Sequence, residues 1–172
     1  MDFGKVATQM GDLFINLSTQ YSAILNFIFL ICACAGVFIS ISGIFTMIRA
    51  GDRQKQQPVW SVVAAKVVAG ASLIELSMWA NAWSATIWAN TDPLEISAYS
   101  SASGDYTTKA MYAALGMMAI AGYVAIAMAY FQISGLGNVS QEGRGSKIGS
   151  ILSRLVAGSA LISAVHLIKY FE

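Results

Sequence analysis

The sequence predicts an all-α membrane protein with four transmembrane helices, arranged as two tandem helical hairpins after an N-terminal amphipathic helix. Three observations predict it. First, hydrophobic residues make up 56% of the 172-residue chain and charged residues only 11%, whereas a soluble domain carries about 25% charged residues. With a mean hydropathy of +0.62, the chain lacks the charge to cover a globule of its size. Second, the apolar runs are of bilayer length, which takes roughly 20 residues. Ile24–Ile48 and Ala110–Leu136 contain no charge, Val59–Ala80 only Lys66 and Glu75, and Ile148–Leu167 only Arg154. Third, the chain repeats itself, Ala33–Ile74 against Ala119–Ile162. At an offset of 86, Gly36 matches Gly122, Ile39 matches Ala125, Phe45 matches Phe131 and Gly51 matches Gly137. A two-residue insertion then moves the offset to 88, where Lys66 matches Arg154, Val68-Ala69-Gly70 matches Val156-Ala157-Gly158, and Leu73-Ile74 matches Leu161-Ile162. Repeated helical hairpins point to a packing module rather than a catalytic cleft.

In chain order, residues 1–21 place Phe3, Val6, Met10, Leu13 and Phe14 at three- and four-residue spacings. That suits an amphipathic helix lying on a membrane surface or on a neighbouring subunit. Asp2, Lys5 and Asp12 leave no basic region of the kind that opens a signal peptide. Residues 22–80 form the first hairpin, with a basic loop at 49–58 holding Arg49, Asp52, Arg53 and Lys55. Residues 81–109 form an external loop. Trp79, Trp83 and Trp88 read as an interfacial aromatic belt that ends helix two, before Asp92-Pro93 breaks it. Residues 110–172 form the second hairpin, with a loop at 135–147 holding Glu142, Arg144 and Lys147. The N-terminal segment and the middle loop hold one lysine each, Lys5 and Lys109. The positive-inside rule therefore puts both short loops in the cytoplasm and both termini outside.

The chain offers little reaction chemistry. His166 is the single histidine and has no partner at metal-ligand spacing. Cys32 and Cys34, two residues apart on an apolar helix, point in different directions and read as small hydrophobic residues. Gly135–Gly149 is glycine-rich but lacks the Gly-Lys-Ser/Thr ending of a phosphate loop and follows a helix. No nucleophile–base–acid set is present, so the expectation is no enzyme, no metal and no cofactor.

Ionisable residues within spans are costly and carry function often enough to need an account. Lys66 and Arg154 lie about two turns from the cytoplasmic end, and their long stems can snorkel toward phosphate head groups. Glu75, deep in helix two, reads as a buried ionisable group facing protein, water or a basic partner. Small residues mark faces for close helix contact: Gly36, Ser40 and Gly43 on helix one, Ala65 and Ala69 on helix two, and Ala121, Ala125 and Ala129 on helix three.

Helix one running into Gly43-Ile44-Phe45-Thr46-Met47-Ile48-Arg49, helix two ending before Thr91-Asp92-Pro93-Leu94, and Gly122 to Phe131 followed by a Gly/Gln/Ser/Lys loop and Ile148-Gly149 resemble the IcmC/DotE/TraQ family. These are small membrane proteins of type IVB secretion and IncI-type conjugation systems. The resemblance runs from about residue 20 to 168, and departs from the family in lacking a proline in the second loop. Each hairpin also resembles, in arrangement, the pilin of type IV secretion systems. The resemblance implies no enzymatic activity and no cofactor. It implies a pilin-like subunit in the bacterial inner membrane that assembles with itself, with phospholipid and with other secretion subunits, with no stable small-molecule substrate. Arg49, Arg53, Lys55, Lys66, Arg144, Lys147 and Arg154 would then face lipid head groups, or a lumen through which single-stranded DNA passes. Two alternatives are a non-polymerising component of the same machine and a small transporter or channel with Glu75 as coupling carboxylate. The uninterrupted, proline-free spans argue against the transporter.

Overall fold

The computed structural model describes residues 3–52, 60–89 and 105–164. Among them the chain is all-helical, with no strand. The elements are α1 (Phe3–Ser18), α2 (Tyr21–Asp52), α3 (Trp60–Ile74), α4 (Leu76–Trp88), α5 (Tyr106–Ser134), a 3-10 turn (Leu136–Asn138) and α6 (Gln141–Ile162). Two stretches, Tyr21–Arg49 and Tyr106–Asn138, are long and apolar enough to cross a membrane, and α3 with α4 makes a third if the bent pair is one span. In α6 the apolar run is diluted by Glu142, Arg144, Lys147 and Arg154.

The helices pack in two antiparallel pairs. Gly36 on α2 faces Gly70 on α3, while Gly43, seven residues on, faces Val63 and Lys66. Gly122 on α5 faces Gly158 on α6, and the Ser150 hydroxyl reaches Gln132 Oε1 at 3.4 Å. The core lies where α5 meets α3, α4 and α6, around Leu73, Leu76, Tyr123, Ile126 and Ile162. Asp105 caps α5, its side chain accepting from the Tyr106 N–H at 2.9 Å. Helix α1 covers the start of α5. The Tyr106 hydroxyl contacts the Thr8 carbonyl at 2.7 Å and Asp12 Oδ1 at 3.0 Å. Tyr21, at the head of α2, donates its hydroxyl to the Ala113 carbonyl and packs against Gly116.

Four expectations need correction. Residues 59–80 are not one straight helix: the chain turns by 92° between Ile74 and Leu76. Glu75 leaves the helical conformation there, at φ −105° and ψ 42°, while its N–H still bonds Ala71 O at 3.2 Å and its carbonyl accepts from the Trp79 N–H at 3.1 Å. What sets the turn is the docking of α4, whose Leu76, Ala80 and Ser84 are all buried. Glu75 itself is exposed at the bend rather than buried. Residues 81–88 continue α4 instead of opening the external loop, and the helix ends at Ala89 in a left-handed conformation, φ 53°. Arg49 and Asp52 fall in α2, and Arg144 and Lys147 fall in α6, not in the loops 49–58 and 135–147. The Arg144 Nε donates to the Val139 carbonyl at 3.1 Å, bridging the short turn to the first helical residues. The remaining loop residues Arg53 and Lys55, Asp92-Pro93, and His166 lie outside the described residues.

Candidate functional site

Polar chemistry gathers in two places on this apolar frame. The first is the loop end of the α2–α3 pair. Thr46 sits one turn after Ser42 on α2 and donates its hydroxyl to the Ser42 carbonyl at 2.7 Å. Its oxygen therefore remains free to accept. Lys66 Nζ donates to Thr46 Oγ1 at 3.3 Å and to Ser42 Oγ at 3.0 Å. Gly43 allows this, because a Cβ there would lie 3.2 Å from the Lys66 Cβ and 3.3 Å from Val67 Cγ2. Without a side chain, α3 comes close enough for the lysine stem to lie along α2. An ammonium has three N–H donors, and two of them are used here. A half-buried cation with one donor left can hold an anionic oxygen such as a phosphate. Its counterpart Arg154 is also half-buried, on α6. Arg49 and Lys147 are exposed.

The second place is the seam between the two pairs. Trp83 Nε1 donates to the Tyr130 hydroxyl at 3.0 Å, and buried Ser72 lies beside that hydroxyl. Tyr123 donates to Asn81 Oδ1 at 3.3 Å, Trp88 Nε1 to Ser159 Oγ at 3.1 Å, and Ser84 bonds Ser163. Ser72, Ser84, Ser159 and Ser163 are all buried. A hydrogen-bonded seam of this kind fixes register where apolar packing alone would not. Trp83 and Trp88 thus tie α4 to the second pair, and Trp79 is the exposed member of the expected belt.

The expected packing residues separate. Gly36, Gly43, Ala69 and Ala129 are buried, Ser40, Ala65 and Ala125 half-buried, and Ala121 exposed. Ala121 is therefore not in the α5–α6 contact, which runs through Gly122 one residue on. A Cβ at Gly36 would meet Gly70 O at 2.6 Å and Ile74 N at 3.0 Å, and a Cβ at Gly122 would meet Gly158 O at 2.6 Å and Ile162 N at 3.0 Å. Gly70, Gly122 and Gly158 are thus packing residues that the four-residue stripe rule passed over, although the repeat had aligned all of them. Ser42 and Thr46 carried a weaker signal, two hydroxyls one turn apart near a basic loop.

Among the described residues no group of His, Cys, Asp and Glu is arranged to hold a metal. No family model, curated protein or solved structure matches the chain.

Proposed function

We propose that the protein is a pilin-like, self-assembling membrane subunit of a conjugation or type IVB secretion apparatus, serving DNA or effector transfer from the bacterial inner membrane. The observation that carries the reading is uncovered apolar surface on a repeated unit. In α2 only 17% of the most apolar stretch is buried, against 56% in α5. In this reading α2, α3 with its bent continuation, α5 and α6 are the four crossings and the antiparallel pairs are the tandem hairpins. Both short connections lie in the cytoplasm, and the termini and the stretch after α4 lie outside. Lys66, held by Ser42 and Thr46, and Arg154 meet phospholipid head groups or a lumen. The reading assigns no enzymatic activity and no cofactor. Its partners are copies of itself, phospholipid and other subunits of the apparatus.

Extraction of the tagged chain followed by electron microscopy tests it, together with transfer frequency in a deletion strain. Filaments and lost transfer are expected. A discrete particle of fixed size would make the chain a non-polymerising component. A monomer with undisturbed transfer would overturn the proposal.

One observation favours a second reading. Helix breaks at membrane depth accompany ion and substrate sites in transporters, and the 92° turn falls at Glu75. This removes the objection that the spans are uninterrupted. A transporter would show ion flux in liposomes that Glu75→Gln abolishes. Flux no higher than in protein-free liposomes rejects it.

A further inference from the structure

The two halves of the chain bury equivalent faces unequally. The equivalence is fixed by contacts as well as by sequence, since Gly36 meets Gly70 and Ile74 as Gly122 meets Gly158 and Ile162. On α5, Tyr123 is 0% exposed, Ala127 4% and Tyr130 4%. Their counterparts on α2, at the offset of 86, are Val37, Ile41 and Ile44, exposed by 45%, 42% and 52%. The α5 face is covered by the first half of the same chain. Buried Ser72 of α3 lies beside Tyr130, Val62 lies against Gly137, and Asn81 and Trp83 of α4 reach Tyr123 and Tyr130.

The covering surface has an open copy too. Ala69 of α3 is fully buried, and its counterpart at the offset of 88, Ala157 of α6, is exposed. Each chain therefore holds one closed junction between its halves and two open half-junctions, one on α2 and one on α6. Glu75 makes protein the fitting cover rather than lipid. Its counterpart Ser163 is buried and bonded to Ser84, whereas Glu75 is exposed with no side-chain partner among the described residues. A carboxylate facing hydrocarbon is expensive.

We propose that α6 of one copy docks on the Val37–Ile41–Ile44 face of α2 in a second copy of this chain, as α3 docks on α5 within the chain. The copies then join head to tail. A contact of this heterologous kind closes into a ring or runs on as a filament, according to its rotation. The inference rests on the self-assembly reading and specifies its interface. The internal contacts give the pairs to test. Ser72 with Tyr130 becomes Ala160 with Ile44 of the next copy, and Val62 with Gly137 becomes Ser150 with Gly51.

The test is disulfide cross-linking in membranes between two differently tagged copies, both with Cys32→Ala and Cys34→Ala. One copy carries Ile44→Cys and the other Ala160→Cys. Gly51→Cys against Ser150→Cys is the second pair. Heterotypic dimers should exceed either homotypic product several-fold, and one chain carrying both Ile44→Cys and Ala160→Cys should give a ladder. If the tags co-purify but no heterotypic product forms at either pair, or Ile44–Ile44 dimers dominate, this interface is wrong and self-assembly stands. If the wild-type tags do not co-purify, the self-assembly reading falls and the interface with it.

Discussion

Gly36 and Gly70 bring α2 and α3 into backbone contact: a Cβ on Gly36 would lie 2.6 Å from the Gly70 carbonyl oxygen, and one on Gly70 would lie 2.7 Å from the Gly36 carbonyl oxygen. The crossing recurs at Gly122 and Gly158, at 2.6 and 2.8 Å. Within a membrane such close approach replaces the hydrophobic driving force that lipid removes.

Substitution at these glycines should therefore separate helices rather than fill space. Gly36→Val and Gly122→Val should each destabilise the chain by about 1–3 kcal/mol, the usual range for overpacking. Ala121→Val, at an exposed position one residue away, should have little effect on the isolated chain. Thermal unfolding in detergent measures all three. Equal melting temperatures for Gly122→Val and Ala121→Val would show that the glycine crossing does not hold the pair.

The Ser84–Ser163 bond predicts non-additive behaviour. Both hydroxyls are fully buried and bonded to each other. Ser163→Ala leaves the Ser84 hydroxyl without that partner and should cost about 1–3 kcal/mol. Adding Ser84→Ala removes the stranded group, so the double variant should be no less stable than Ser163→Ala alone. Strict additivity in the cycle would show that the two hydroxyls act independently.

The helices and their pairing glycines were legible in the sequence for different reasons. Charge-free runs of bilayer length marked α2 and α5, and the repeat aligned Gly36 with Gly122 and Gly70 with Gly158. The bend at Glu75 was not legible, because no proline or glycine stands there. It is set by distant partners, with Ser84 on Ser163 and Trp88 on Ser159. The start of α6 was obscured by Gly143 and Gly145, which fell in the expected loop 135–147. Around Gly145 and Gly149 there is open space, so nothing presses on the helix at its weak formers. Lys66 was found as a cation but its hydroxyl partners were not, since Ser42 and Thr46 lie 24 and 20 residues away in sequence.

Topology gives a prediction that leaves packing untouched. Arg49, Arg53, Lys55, Arg144 and Lys147 flank the two short connections, so both connections should be cytoplasmic. Single cysteines at Gln56 and Ser140, with Cys32 and Cys34 replaced, should resist an impermeant thiol reagent in intact cells and label after lysis. Strong labelling of either site before lysis reverses the orientation of that pair.

The last prediction separates an anion site from a topological anchor. Lys66 keeps one N–H donor beyond those on Ser42 and Thr46, and a charge-assisted hydrogen bond is worth about 1.5–3 kcal/mol. Loss of the ammonium should therefore lower retained anionic phospholipid by about tenfold or more, each 1.4 kcal/mol being a factor of ten. Lys66→Met removes the charge and keeps an apolar stem over Gly43, so the α2–α3 contact should survive. Orientation should survive as well, because the flanking Arg and Lys residues remain. The measurements are phospholipid co-purified per subunit and DNA-transfer frequency, for Lys66→Met, for Arg154→Gln and for the pair. Ser42→Ala with Thr46→Val is the companion variant. It frees the lysine to reach the interface and should reduce lipid retention less than Lys66→Met does. Wild-type lipid content and transfer in the Lys66→Met, Arg154→Gln double variant would reduce both residues to redundant topology markers.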